Sequence, residues 1–151
     1  MTLTSPLNNA TIEACQAMLR GEISAVETYT QASNKFADST DDDALGSICG
    51  DHQQSVDLLH ELILNSGETP DITSGVWGNF AQAMEGTAKL FGESPALLIL
   101  EQGEKHGIKE YEAALVDPNM SLPIKELIEQ DLLPPLYDHL VELKSRRERN
   151  D

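Results

Sequence analysis

Two stretches of this chain repeat one another at a fixed distance, and in both a glutamate sits where an apolar residue belongs. Met18-Leu19-Arg20-Gly21-Glu22 is followed by Val26 and Tyr29, and Leu100-Glu101-Gln102-Gly103-Glu104 by Ile108 and Tyr111. The offset is 82 residues throughout, and it extends to Cys15 against Leu97 and to Ala32 against Ala114. A constant offset between segments of helical periodicity predicts a chain built from two related helix pairs. Both glutamates fall inside apolar stripes, and a carboxylate in a core is costly unless something pairs with it. Function is to be sought at these two positions.

The 151 residues suit one domain over 1–151, with a core from about residue 7 to 145 and a tail from 146 that frays. No apolar run approaches the roughly 20 residues that span a bilayer. The start, Met1-Thr2-Leu3-Thr4-Ser5-Pro6, has neither the basic residues nor the apolar stretch of a signal peptide, so a cytoplasmic protein is expected. A net charge of −16 argues against nucleic acid and anionic membrane as partners, because both call for a basic surface. The one basic cluster, Lys144-Ser145-Arg146-Arg147-Glu148-Arg149, reads as a last helical turn complementing its own dipole. Cys15 and Cys49 make no disulfide framework, and Cys15 reads as a small core residue.

Periodicity gives five helical segments and no strand. The first runs from about Ala10 to Phe36, with the stripe Cys15, Leu19, Glu22, Val26, Tyr29, Ser33 and Phe36. The second opens after Ser39-Thr40, where Asp41-Asp42-Asp43 suit a helix N-terminus, and stops at Asn65-Ser66-Gly67. Its stripe holds Leu45, Ile48, His52, Ser55 or Val56, Leu59 and Ile63. Further on, Ser94-Pro95 reads as a cap with proline behind it, opening a helix that carries Leu97, Glu101, Glu104, Ile108, Tyr111 and Leu115. The last segment begins near Ser121, and Pro134-Pro135 must break or bend it before Leu136, His139, Leu140 and Leu143 resume an apolar face.

The connection from Glu68 to Pro95 is far longer than a hairpin requires. Inside it Trp77, Phe80, Met84, Ala88 and Phe91 recur at helical spacing, capped by Ser74 and stopped by Gly92. This predicts a further amphipathic helix whose aromatics cover the bundle. The glycines Gly75, Gly78 and Gly86 read as close helix contacts, not as a nucleotide cradle. Short links elsewhere predict two antiparallel hairpins, and the long connection lets the helix after Ser94 run parallel to the second. The fold expected is all-α: a four-helix bundle with one long crossover, the ferritin-like arrangement.

On helical wheels Glu22, His52 and Glu104 fall near the centres of their stripes, and His139 falls with Leu136 and Leu143. Each main helix then gives one ionisable residue to the interior. Two carboxylates and two imidazoles form a ligand set for Fe, Mn or Zn, which accept mixed oxygen and nitrogen coordination. Tyr29 and Tyr111 lie two turns beyond the glutamates, and with Ser55, Glu101 and Cys49 make up the candidate surroundings. His60, His106, Glu27, Glu110 and Glu112 fall on outer faces. The same residues also suit a metal-free network in which each glutamate accepts from a histidine or a tyrosine.

Several segments carry a family likeness: Gly21-Glu22-Ile23-Ser24-Ala25-Val26-Glu27-Thr28-Tyr29, Ser74-Gly75-Val76-Trp77-Gly78, Lys89-Leu90-Phe91-Gly92, Glu101-Gln102-Gly103-Glu104-Lys105-His106-Gly107 and Leu132-Leu133-Pro134. From about Leu7 to Leu143 the chain resembles the DUF2383 proteins, small bacterial members of the ferritin-like superfamily whose physiological role is undefined. The superfamily implies one carboxylate from each of two helices and a Glu-x-x-His from each of the other two. Glu22 and Glu104 match the single carboxylates. The tetrads here are His52-Gln53-Gln54-Ser55 and Leu136-Tyr137-Asp138-His139. That departure speaks against two bridged ions and for one ion on Glu22, His52, Glu104 and His139, or for a metal-free relic.

Two functions follow: a ferritin-like protein holding one buried ion, or a stress-associated interaction bundle that uses the aromatic crossover helix to form a homodimer. Hydrolysis by the paired glutamates lacks cleft residues, and no nucleophile or phosphate-binding motif is present. The sequence leaves any small-molecule substrate unidentified and singles out no catalytic residue.

Overall fold

The computed structural model describes residues 7–36, 43–75 and 78–150. Its helices are α1 (Asn9–Lys35), α2 (Ala44–Asn65), α3 (Phe80–Phe91), α4 (Glu93–Val116), α5 (Leu122–Leu127) and α6 (Pro134–Asn150). A π-helical turn, Ile128–Leu132, joins α5 to α6. There is no strand among the described residues, and no described helix is long and apolar enough to cross a membrane. Ser39, Thr40, Asp41, Asp42 and Trp77 lie outside the described residues, and with them the roles expected of them.

The helix ends show why the chain turns where it does. At α1 the Asn8 side chain accepts the Thr11 N–H at 2.7 Å, satisfying one of the donors left free in a first turn. At the end of α2, Gly67 takes φ 90°, Glu68 N–H bonds back to Ile63 and Gly67 N–H to Leu64. That double closure is the Schellman stop, which needs a residue without a Cβ at its left-handed position. Gly92 (φ 93°) ends α3 and starts α4 in one step. Helix α4 therefore begins at Glu93, one residue before the expected Ser94 cap, with an acid at the positive end of its dipole.

The expected break at Pro134-Pro135 is a change of helix type. Leu133 N–H reaches Ile128 at 2.9 Å across the wider π turn. Both prolines then fall in the first turn of α6, where a missing N–H costs little. The basic cluster at the C-terminus lies on helix α6. Helix α6 continues to Asn150, and Arg146 is buried, bonded to Glu93 at 2.7 Å and to the Phe36 carbonyl at 3.2 Å. The basic cluster thus ties the bundle's end together instead of only serving its own helix dipole.

Two apolar clusters fill the interior. In one, Cys15 and Leu19 of α1 meet Leu59 and Ile63 of α2, Ile108 and Tyr111 of α4, and Leu136 of α6. In the other, Tyr29 and Ala32 meet Leu45 and Ile48, Leu97 and Leu100, and Leu143. Read along each helix, these memberships make α1 antiparallel to α2, α4 antiparallel to α6, and α4 parallel to α2. Helix α3 lies against α1 and α4 through buried Ala81, Met84 and Ala88. Phe91 does not join that buried face: it is 70 % exposed, at the end of the helix beside Leu90. Of the glycines read as close contacts, Gly75 abuts the Arg20 side chain, whereas a Cβ on Gly86 would meet nothing within 4 Å.

Candidate metal centre

Between the two apolar clusters lies a single polar layer. Glu22, His52, Glu104 and His139 each fall in the gap between the two clusters on their own helix, and all four are buried. The stripes of α1, α2, α4 and α6 carry them inward at the same level, because the helices are packed in register on either side.

His52 stands at the centre. Its Nδ1 lies 2.6 Å from Glu22 Oε2 and its Nε2 lies 2.8 Å from Glu104 Oε1. Both contacts are hydrogen bonds only if both nitrogens carry protons, which makes the ring an imidazolium. Burial disfavours that charge, but the Glu22 carboxylate and the hydrogen bonds to both glutamates outweigh it and push the His52 pKa up to about 10. The same balance runs the other way at Glu104. Burial raises its carboxyl, and the bonds and charges of His139 and His52 overcome this to hold it at about 2.

The tyrosines close the layer crosswise. Tyr29 of α1 donates to Glu104 Oε1 of α4 at 2.7 Å, and Tyr111 of α4 donates to Glu22 Oε1 of α1 at 2.5 Å. This exchange is the three-dimensional form of the 82-residue repeat. Burial, with the carboxylates beside them, keeps both phenols well above their usual range and protonated. Tyr29 also stacks on His52 with ring centres 5.3 Å apart.

His139 lies 3.2 Å from both Glu104 oxygens through Nδ1, and its Nε2 is 2.8 Å from Asp51 Oδ2. One donor atom from each of His52, Glu104 and His139 comes within 4.8 Å of the others, an arrangement compatible with one metal ion. Glu22 is not in that group. It meets His52 on the opposite ring nitrogen, so the structure brings together three of the four expected ligands and places the fourth behind one of them. Among the described residues a second ion finds no comparable group of donors: Leu136 is packed in the core, and Ser55 borders a different cavity.

The surrounding candidates divide. Tyr29 and Tyr111 touch the layer. Glu101 turns away to a two-pronged pair with Arg147 at 2.7 and 3.3 Å, because α6 presents an arginine at that level. Cys49 packs its thiol against Thr30 and the Val26 carbonyl. Glu110 is half-buried, and burial raises its carboxyl, whereas His60 and His106 are exposed as expected. The sequence reading missed Asp51. It sits one residue off the apolar stripe, and its side chain is 48 % exposed, so periodicity does not single it out. The signal for it was the missing carboxylate in the tetrad that begins at His52.

A mostly apolar cavity of about 70 Å³ adjoins the layer between α1 and α4, bordered by Glu22, Tyr29, His52, Phe80, Glu104 and Tyr111. Phe80 closes it toward α4, where a Cβ on Gly103 would stand 2.9 Å from the ring.

No curated protein and no solved structure matches the chain. The sequence pattern of a domain of unknown function, DUF2383, matches residues 10–117, from α1 through α4, and leaves the His139 helix outside. With α1, α2 and α4 all inside that match, the chain belongs to the DUF2383 family.

Proposed function

We propose that this protein is a ferritin-like helical bundle that binds one divalent transition-metal ion in its central polar layer, through His52, Glu104 and His139. The observation that carries the proposal is the convergence of these three buried donors on one point. Two imidazoles and a carboxylate suit Fe, Mn or Zn. The relative directions of α1, α2, α4 and α6, with α3 in the long crossover, support the ferritin-like reading.

In this reading Glu22 is not a ligand but holds His52 from Nδ1, fixing the ring while Nε2 faces the ion. Tyr111 secures Glu22 in turn, and Tyr29 secures Glu104. An ion bound there would supply Lewis acidity, and as Fe or Mn also one-electron chemistry. Loading must expel a proton from His52, because a nitrogen cannot bind metal and hydrogen together. Calorimetric titration with Zn²⁺ in buffers of different ionisation enthalpy tests this: one site per chain with net proton release is expected. Binding without proton release contradicts the assignment of His52 as a ligand.

The closed hydrogen bonding of His52 to two glutamates favours a second reading, in which the layer is metal-free and fixes the register of the helices. Thermal stability that does not respond to Fe²⁺, Mn²⁺ or Zn²⁺ supports that alternative. A homodimer in the cytoplasm accompanies either reading, its contact being exposed Leu90 and Phe91 on α3 with Leu98 on α4. Dilution-dependent mass, abolished in Phe91→Ser, checks it.

A further inference from the structure

The cavity of about 70 Å³ between α1 and α4 is space that the three converging donors do not use. Its walls are mostly apolar, with Met18 and Ala25 from α1, Leu100 from α4 and Leu136 from α6. The 82-residue repeat leaves both helices without a side chain here: Gly21 and Gly103, equivalent in the two halves, border the cavity. A glycine inside a helix costs about 1 kcal/mol against alanine. Gly103 lets the Phe80 ring of α3 lie over the space, since a Cβ would stand 2.9 Å from that ring.

Chemistry and size say what fits there. The buried polar groups on the border satisfy one another: Tyr29 donates to Glu104, Tyr111 to Glu22, and His52 bonds both glutamates. Among the described residues, no buried side-chain polar atom on the border lacks a partner. A water held in a core needs about two to four polar partners, so this space favours apolar atoms. Glu110, half-buried on the same border, repels an anion. A cation entering the apolar part would shed its water and meet glutamates that are already paired. A dry core cavity of about 150 Å³ accepts benzene, and at about 70 Å³ this one takes something smaller.

We propose that this cavity binds a neutral apolar molecule smaller than benzene, held against the His52 and Glu104 side of the polar layer. Both of those residues border the cavity, so its occupant meets the layer from between α1 and α4. Binding requires no ion in the layer. That the occupant is presented to an ion as its substrate rests on the metal reading proposed above.

Xenon is the probe. Pressurising the metal-free full chain with xenon should shift the methyl NMR signals of Met18 and Leu100, which border the cavity. Those of Leu59 and Ile124, in the core but off that border, should stay in place. Cyclopropane should displace the xenon, and acetate should not. Ala25→Leu, which fills the space, should abolish the response, and Leu100→Ala, which enlarges it, should admit benzene where the wild type excludes it. Circular dichroism checks that both variants are folded. No shift in the wild type, an unchanged response in Ala25→Leu, or displacement by acetate overturns the proposal. Loading the chain with Mn²⁺ separates the two sites, because an ion in the layer should speed the relaxation of bound xenon. Xenon binding with relaxation unchanged by Mn²⁺ supports the cavity while the buried-ion reading fails. Stoichiometric Mn²⁺ without any xenon response overturns the cavity proposal and leaves the buried ion standing.

Discussion

Glu22 and Glu104 share one imidazole: His52 donates to the first from Nδ1 at 2.6 Å and to the second from Nε2 at 2.8 Å. Each glutamate takes its next bond from the tyrosine of the other's helix, Tyr111 for Glu22 and Tyr29 for Glu104. The two halves of the sequence repeat are thereby stitched together in the polar layer between the two apolar clusters.

The partners are not evenly supplied. Glu104 also receives His139, whereas Tyr111 is the partner seen on Glu22 Oε1. Tyr111→Phe should therefore cost about 2–3 kcal/mol, as a buried charged acceptor loses its donor, and Tyr29→Phe about 1 kcal/mol. Urea unfolding of the two variants measures this, and the reverse order would contradict the geometry.

Stability should vary with pH in a defined way. Glu104 is held at about 2 against an ordinary 4.5, so its contribution is complete above pH 4.5 and drains as pH falls toward 2. His52 is held at about 10 against an ordinary 6.5, so its contribution is complete below pH 6.5 and is lost as pH rises toward 10. The maximum should lie between these ordinary values, and Glu104→Gln should flatten the acid limb. Unfolding free energies measured from pH 3 to 10 decide it; a maximum above pH 8 is incompatible.

At the C-terminus, Arg147→Ala leaves buried Glu101 without the pair seen here. A loss of about 1–3 kcal/mol is expected, and Arg149→Ala, on an exposed pair 3.9 Å long, should change stability by less than about 0.5 kcal/mol. Thermal melts of both variants compare them directly.

Helical glycines offer a contrast. Gly50→Ala and Gly86→Ala meet nothing within 4 Å and should each stabilise by roughly 0.5–1 kcal/mol. Gly103→Ala should forfeit that gain, because its Cβ would press on the Phe80 ring. Equal stabilisation at all three positions would show that Phe80 does not close the cavity.

The helices and the central layer were legible because both depend on period. Glu22, His52, Glu104 and His139 stand out as polar residues on apolar stripes, and the tyrosines follow from the repeat. What period cannot show is direction within a layer. Glu101 shares the inner face of α4, yet an arginine two helices later in sequence captures it. Asp51 lies off its stripe and reaches the layer only because His139 extends toward it. The π turn was hidden for a similar reason: prolines signal that a helix must change, not how.

The most direct test is metal stoichiometry by elemental analysis on tag-free protein, wild type beside His139→Ala and Glu104→Gln, with circular dichroism confirming that each is folded. The account predicts about one equivalent of Fe, Mn or Zn in the wild type and its loss in both variants. No stoichiometric metal in the wild type, even after supplementation with all three ions, would contradict it and leave the layer as a structural hydrogen-bond network.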